Sequence, residues 1–345
     1  MENTYTLYQL GWQPFFQQQL SLEEWETTVI GRLMVQDRSV IELLTNEGSL
    51  LLPVTHSMPV MTTGDWVLLD FEHRFVRLLE RTSLFSRKAA GTKVATQLIA
   101  ANIDTVFVVS SMNLDFNLNR IERYLTMAHE AGVEVVIVLT KEDVCEAPES
   151  YVAQAKSLGS MLNIVSVNAL DTHSVAQLDE WCVSGKTVAL MGSSGVGKST
   201  LVNTMSGHEA QETRSTRKDD DKGRHTTTSR TLHLLPAGGI LLDTPGMREI
   251  QIADCEHGIE ETFSEIVELA SHCKFSDCTH ENEPGCAVTR AIENGSLDPR
   301  RLSSFQKLMR EQSFNQATLA EKRERDRKFG RHVRSVMKAK RNEQG

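Results

Sequence analysis

The 345-residue chain has no uninterrupted apolar run long enough to span a bilayer. Its first residues, Met1-Glu2-Asn3-Thr4-Tyr5-Thr6, lack the basic start and apolar core of a secretory leader. A cytoplasmic, monomeric chain with no membrane partner is therefore expected. Cysteine is scarce as well. Six cysteines at uneven spacing make a poor disulfide framework, which leaves metal binding or buried thiols. What is present is ordinary for a globular protein: 40% apolar residues, in a length that suggests two or three domains.

The net charge of −9 conceals an asymmetry. Arg300 to Gly345 carries fourteen Lys/Arg against five Asp/Glu, so the rest of the chain is strongly acidic. A basic tail on an acidic body points to a polyanionic partner, with a solvated helical tail as the plain alternative.

One stretch organises the whole. The apolar run Thr187-Val188-Ala189-Leu190-Met191 reads as a buried strand, and Leu201-Val202-Asn203-Thr204-Met205 as the start of a helix. Between them lies Gly192-Ser193-Ser194-Gly195-Val196-Gly197-Lys198-Ser199-Thr200, a Gly-x-x-x-x-Gly-Lys-Ser/Thr pattern in strand–loop–helix context. Glycines let the backbone wrap phosphates, so that loop N–H groups and the helix N-terminus point at the anion. Lys198 is the expected cation for the β- and γ-phosphates, and Ser199 a hydroxyl ligand for Mg²⁺.

Taken in order, residues 1–25 form a polar N-terminal extension with interspersed Trp12, Phe15, Phe16 and Trp25. Residues 26–85 hold four or five short β-prone runs, with Asn46-Glu47-Gly48 as a hairpin turn. They suit a small barrel, either an OB-fold or an SH3-like one. Arg81 to Gln97 reads as a basic connector. Strands and helices then alternate through strand runs at Thr105–Val109, Val133–Leu139 and Asn163–Val167, which predicts a parallel α/β sheet over 86–252. Residues 253–345 make a C-terminal helical unit with the basic tail.

Thr140-Lys141-Glu142-Asp143 follows a strand, where α/β sheets bind ligands. A carboxylate at Asp143 can accept from the guanine N1–H and exocyclic amine, a donor pair that adenine lacks, so GTP is favoured over ATP and an ATP-dependent kinase disfavoured. The stem of Lys141 can lie along the base. Ser166, Asn168 and Ala169, after the next strand, can support the base from the other side. Beyond the loop, Ile240-Leu241-Leu242-Asp243-Thr244-Pro245-Gly246 places Asp243 to hold Mg²⁺ through a water and Gly246 to donate to the γ-phosphate. The intervening polar segment contains His225-Thr226-Thr227-Thr228. One of its threonines should reach the metal; Thr227 is favoured, and spacing leaves its neighbours open. Finally, Cys273, Cys278, His280 and Cys286 fall within fourteen residues and match a closed, structural Cys₃His zinc site, one Zn²⁺ per chain.

The base-reading motifs precede the phosphate loop, the reverse of ordinary small GTPases. That order, with Gly-Arg-His-Thr-Thr-Thr at 223–228, Asp-Thr-Pro-Gly at 243–246 and the Cys-x₄-Cys-x-His-x₅-Cys cluster, resembles the ribosome small-subunit-dependent GTPase A family. Phe85-Ser86-Arg87-Lys88-Ala89-Ala90-Gly91 and Asp115-Phe116-Asn117-Leu118-Asn119-Arg120 resemble it too. The resemblance implies an N-terminal OB barrel, a circularly permuted GTPase domain and a C-terminal zinc-binding domain. It also implies GTP hydrolysis stimulated by the small ribosomal subunit, contact with rRNA, and a role in late subunit maturation. An RNA-binding assembly module with GTP as a structural ligand is the competing expectation. Thr140 stands where Asn is usual, which puts the loop-to-loop contact in question. Met247 stands where Ras-like enzymes carry a water-orienting Gln; by analogy with the family, His225 is the candidate for that task, beside Lys198 and Thr227 in the catalytic set.

Overall fold

The polar N-terminal stretch forms two short helices, α1 (Pro14–Gln17) and α2 (Leu22–Thr27). A capping box starts α2: Ser21 Oγ accepts from the Glu24 amide at 3.1 Å, and Glu24 accepts from the Ser21 amide at 2.9 Å. The computed structural model describes residues 5–37, 39–88, 96–207, 231–243 and 255–316.

Five antiparallel strands follow: β1 (Val29–Gln36), β2 (Val40–Thr45), β3 (Gly48–Pro53), β4 (Trp66–Leu69) and β5 (Phe75–Leu78). Their order, β3-β2-β1-β4-β5, is that of an OB barrel opened between β3 and β5. Side chains of the strands alternate between two cores. Leu33, Ile41, Leu43, Val67 and Leu69 fill the interior, while Ile30, Trp66 and Leu68 pack outward against Leu10, Trp12 and Phe16. Trp12 meets Trp66 edge-on at 4.9 Å, so the N-terminal extension is a lid on one barrel face.

The basic connector expected over 81–97 is instead largely a ribbon: β6 (Leu84–Lys88) pairs antiparallel with β7 (Thr96–Ala101). Polar residues such as Ser86, Arg87 and Gln97 hide the strand, because its pairing comes from the main chain while Phe85, Ile99, Ala100 and Ala101 bury the apolar surface.

The α/β unit comprises β8 (Thr105–Ser111), α3 (Leu118–Glu130), β9 (Glu134–Thr140), α4 (Pro148–Lys156), β10 (Asn163–Val167), α5 (Thr172–Val175), β11 (Thr187–Met191), α6 (Lys198–Ser206), β12 (Thr231–Leu234) and β13 (Ile240–Asp243). The sheet order is β10-β9-β8-β11-β13-β12, parallel except for edge strand β12. Every residue of β8 and β11 is buried, as a sheet covered on both faces requires. The chain steps outward from β8 to β10 and then returns to β11 on the other side of β8. That return makes a topological switch point between β8 and β11, where ligands of open α/β sheets bind.

The C-terminal helices are α7 (Glu256–Thr262), α8 (Ser264–Ser271), α9 (Ala287–Glu293) and α10 (Pro299–Gln316). They share one apolar core with α3 and the sheet, from Val106 and Leu125 through Ile259 and Phe263 to Leu308. Helix α7 crosses α3 at Gly258, where a Cβ would sit 2.1 Å from the Thr126 carbonyl oxygen, so only glycine permits the approach.

Two buried arginines mark the seams of the α/β unit. Arg32 on β1, 1% exposed, donates to the carbonyls of Leu10 (2.5 Å) and Asn102 (3.1 Å) and to Thr187 Oγ1 (2.8 Å), and lies over the Trp66 ring. Arg301 on α10 donates to Glu122 (2.8 Å), Glu265 (2.7 Å) and the Thr262 carbonyl (2.8 Å), and lies over Phe263. Glu122, on α3 and fully buried, also accepts from Arg300 at 2.9 Å on both oxygens.

Candidate functional site

The phosphate loop runs from the end of β11 to the start of α6. Gly192 (φ 150°) must be glycine, since a Cβ there would lie 2.3 Å from the Val109 carbonyl oxygen of β8. Lys198 opens α6, buried, and its ammonium donates to the carbonyl of Gly192 at 2.6 Å and to that of Ser193. The loop carbonyls thus aim the Lys198 ammonium inside the curve of its own backbone. Ser199 and Thr200 follow in the first turn of α6, half-buried, and Ser194 and Gly195 are exposed at the loop's tip. Free N–H groups of a helix start converge here, which suits an anion.

The base-reading candidates come from β9 and β10. Thr140 is the last residue of β9 and fully buried. Its hydroxyl donates to the Val196 carbonyl of the phosphate loop at 2.5 Å. The contact that an Asn at this position would supply is therefore made by a shorter side chain. Lys141 takes a left-handed conformation (φ 66°), which turns the chain sharply into a one-turn helix over Glu142–Val144 and leaves Asp143 exposed. Ala169 belongs to the same assembly, because its carbonyl accepts from Thr204 Oγ1 of α6 at 2.7 Å. Asn168 Oδ1 accepts from the Leu170 amide, and its own amide donates to Ser174 Oγ, so the residue shapes its loop. Ser166 differs: the residue borders the cleft between α4 and β10, with Val152 and Lys156, and its hydroxyl is buried without a hydrogen-bond partner among the described residues.

Asp243 ends β13, which lies beside β11. This puts it at the same carboxyl edge of the sheet as the phosphate loop. Gly246, Met247, His225, Thr226, Thr227 and Thr228 lie outside the described residues. So does the basic tail beyond 316.

Cys273, Cys278, His280 and Cys286 bring their ligand atoms within 4.8 Å of one another. Cys273 Sγ lies 3.9 Å from Cys286 Sγ and 3.7 Å from His280 Nδ1, and Cys286 Sγ lies 3.5 Å from His280 Nδ1. Tetrahedral zinc, with Zn–S about 2.3 Å and Zn–N about 2.0–2.1 Å, needs separations of about 3.8 and 3.6 Å. The Cys273, His280 and Cys286 separations match those values, and Cys278 lies within 4.8 Å of all three, so the four residues are compatible with zinc. Backbone amides orient the sulfurs: Ala287 N–H points to Cys273 Sγ (3.4 Å) and Thr289 N–H to Cys286 Sγ (3.3 Å). Glu283 folds the ligand loop by accepting from Thr279, Glu281 and Asn282, and those bonds, Thr279's first, hold its carboxyl down at about 2.

Residues 78–253 match the model of a family described as RsgA GTPase. The chain is 59% identical over 338 residues to a protein of Vibrio parahaemolyticus named small ribosomal subunit biogenesis GTPase RsgA 2, covering 98% of this chain and 94% of that one. The chain belongs to the RsgA GTPase family. Another RsgA, from Mesorhizobium japonicum, is 45% identical, with 90% of this chain and 91% of the relative covered. Two solved structures share the fold. YjeQ from Thermotoga maritima has a TM-score of 0.62 at 24% identity, covering 82% of this chain and 98% of its own. YloQ, titled a circularly permuted GTPase, has a TM-score of 0.59 at 21% identity, covering 84% and 96%. RsgA membership agrees with the order of the loops along the chain, the loops after β9 and β10 coming before the glycine-rich loop after β11.

Sequence reasoning missed two participants. Arg120, in the first turn of α3, donates to Ser193 Oγ of the phosphate loop at 2.9 Å. Glu122, two residues on, is the buried anion of the α3–α10 seam. The signal for Glu122 was available: a carboxylate on the apolar face of α3, among Ile121, Tyr124, Leu125 and Ala128, needs a cationic partner.

Proposed function

We propose that this chain hydrolyses GTP in response to the small ribosomal subunit and acts in that subunit's maturation, contacting its rRNA. The observation that carries the reading is the hydroxyl bridge from Thr140 to Val196, which ties a guanine-selecting loop to a phosphate-binding loop. Asp143 would accept from the guanine edge, with Lys141, Glu142, Ser166, Asn168 and Ala169 around the base. Lys198 would meet the β- and γ-phosphates, whose other oxygens take N–H groups from Gly192 to Thr200 and from Gly246. Ser199, Asp243 and Thr227 would hold Mg²⁺, which neutralises charge on the phosphate oxygens. His225 would orient the attacking water, since Met247 has no group to polarise one. Cys273, Cys278, His280 and Cys286 would hold one structural Zn²⁺. The chain would divide into an N-terminal extension (1–25), barrel (26–85), GTPase domain (86–252) and zinc-binding unit (253–345), with the barrel and the basic tail as the parts that would meet rRNA.

The test is a GTPase assay with and without purified small subunits, in the chain as it stands and in Asp143→Asn. Turnover should rise when subunits are added. Asp143→Asn should bind GTP at least about tenfold more weakly, because a mismatched buried hydrogen bond costs about 1–3 kcal/mol. Xanthosine triphosphate should restore part of that loss, its C2 carbonyl accepting from the new amide. Equal affinity for GTP and ATP, or GTP bound without turnover in the presence of subunits, would reject the enzyme in favour of an RNA-binding module.

A further inference from the structure

We infer that Arg120 is a positioning residue for the phosphate loop, acting through Ser193 on the ammonium of Lys198. The contacts form a short chain. Arg120 Nη1 donates to Ser193 Oγ at 2.9 Å, and the Ser193 carbonyl, together with that of Gly192, accepts from Lys198 Nζ. Ser193 is thus held from both ends, its side chain by Arg120 and its carbonyl by Lys198. The orientation of that peptide sets where the Lys198 ammonium sits.

A positioning group has to be fixed itself, and Arg120 stands on a fixed platform. Asn117 caps α3 by accepting from the Arg120 amide at 3.1 Å. The same two turns are clamped to α10: Asn119 and Glu122 accept from Arg300, Glu122 also from Arg301, and Arg123 pairs with Glu311. The backbone under Arg120 therefore cannot drift without breaking buried ion pairs. Its guanidinium contributes little to the core, being exposed, and among the described residues its side chain hydrogen-bonds the loop. A rigid helix that delivers a single side chain to a catalytic loop is how a reacting centre is kept within tolerance.

The inference rests on the proposed GTPase reading, with Lys198 as the phosphate-facing cation. Charge on the γ-phosphate oxygens is redistributed in the transition state, so a misplaced ammonium lowers kcat more than it raises KM. Steady-state GTP hydrolysis with small subunits should be measured for the full chain and for Arg120→Ala, Arg120→Lys, Ser193→Ala and the double variant Arg120→Ala/Ser193→Ala. Thermal melting should accompany each. Arg120→Ala should lose about fivefold in kcat, the scale of one ordinary exposed hydrogen bond, with KM and melting temperature close to unchanged. Ser193→Ala should lose a similar amount, the double variant no more than either single one, and Arg120→Lys should recover part of the rate. Unchanged kcat in Arg120→Ala, or losses that multiply in the double variant, would overturn the inference. Absence of hydrolysis in the unsubstituted chain would instead overturn the GTPase reading, so the two failures are distinct.

Discussion

The two seams that hold the α/β unit in place solve the same problem differently. Each buries an arginine against an aromatic ring, Arg32 over Trp66 and Arg301 over Phe263. At the N-terminal seam the cation is met by neutral dipoles, two carbonyls and a hydroxyl, with no carboxylate bonded to it among the described residues. Burial pushes Arg32 down to about 10, with Asp104 and Asp65 opposing at a distance. At the C-terminal seam Arg300 and Arg301 converge on Glu122, and Glu265 adds a second acid. A cation solvated by dipoles loses little more than hydrogen bonds when it is removed. A cation paired with a buried anion leaves an uncompensated charge behind. The C-terminal seam should therefore be the more brittle, and the barrel seam the more forgiving.

The largest effect should come from the metal. Zinc-finger peptides draw about 10–16 kcal/mol of apparent binding free energy from Zn²⁺. Cys278→Ser, or a strong chelator, should strip the ion and open the helices around it. Metal analysis and hydrogen exchange would follow this, with exchange rising in α8 and α9 and staying low in β1 to β5. Equal exchange in both regions, or full zinc retained in Cys278→Ser, would break the comparison.

Glu122→Leu comes next. It removes the anion shared by two arginines and should cost about 3–5 kcal/mol in chemical denaturation, with α10 losing protection first. Arg32→Met is the matching change at the other seam. It strands three acceptors, at about 1–3 kcal/mol for a buried unsatisfied group, and relieves the cost of burying a cation. A loss at Arg32 as large as that at Glu122 would show that dipoles and ion pairs are equivalent here.

The smallest effect is a pH dependence confined to one seam. His129 Nδ1 lies 3.0 Å from Thr262 Oγ1 between α3 and α7. Burial lowers its pKa below the ordinary 6.5, helped by His257 and opposed by Glu261. The unfolded chain then takes up a proton before the folded one does. Stability from neutral His129 is complete above about 6.5 and is lost as pH falls toward the folded value. Denaturation midpoints at pH 7.5 and 5.5 should differ in the native chain, and less in His129→Gln.

The glycine-rich loop between β11 and α6, the Cys₃His cluster and the alternating strands were legible because each is written locally. A loop pattern, a ligand spacing and the burial of β8, β9 and β11 need no knowledge of distant residues. The partners across the seams were not legible, for the opposite reason. Arg32 meets Thr187 across 155 positions, and Glu122 meets Arg301 across 179. Nothing next to either residue in the chain names its partner. Ribbon β6–β7 escaped because its pairing is carried by main-chain bonds beneath polar side chains. Thr140 was read as a weakened Asn, yet its hydroxyl reaches Val196 directly.

The order of strands in the sheet also sets a schedule for synthesis. Strand β8 is seven residues long and wholly buried, with β9 on one side and β11 on the other. A growing chain that has delivered β8, β9 and β10 but not Thr187–Met191 carries β8 with one bare, apolar edge. Such an edge templates pairing with other chains until its own partner arrives. The late arrival of β11 thus makes the half-made protein sticky during translation, and slow codons before residue 187 should lower its soluble yield.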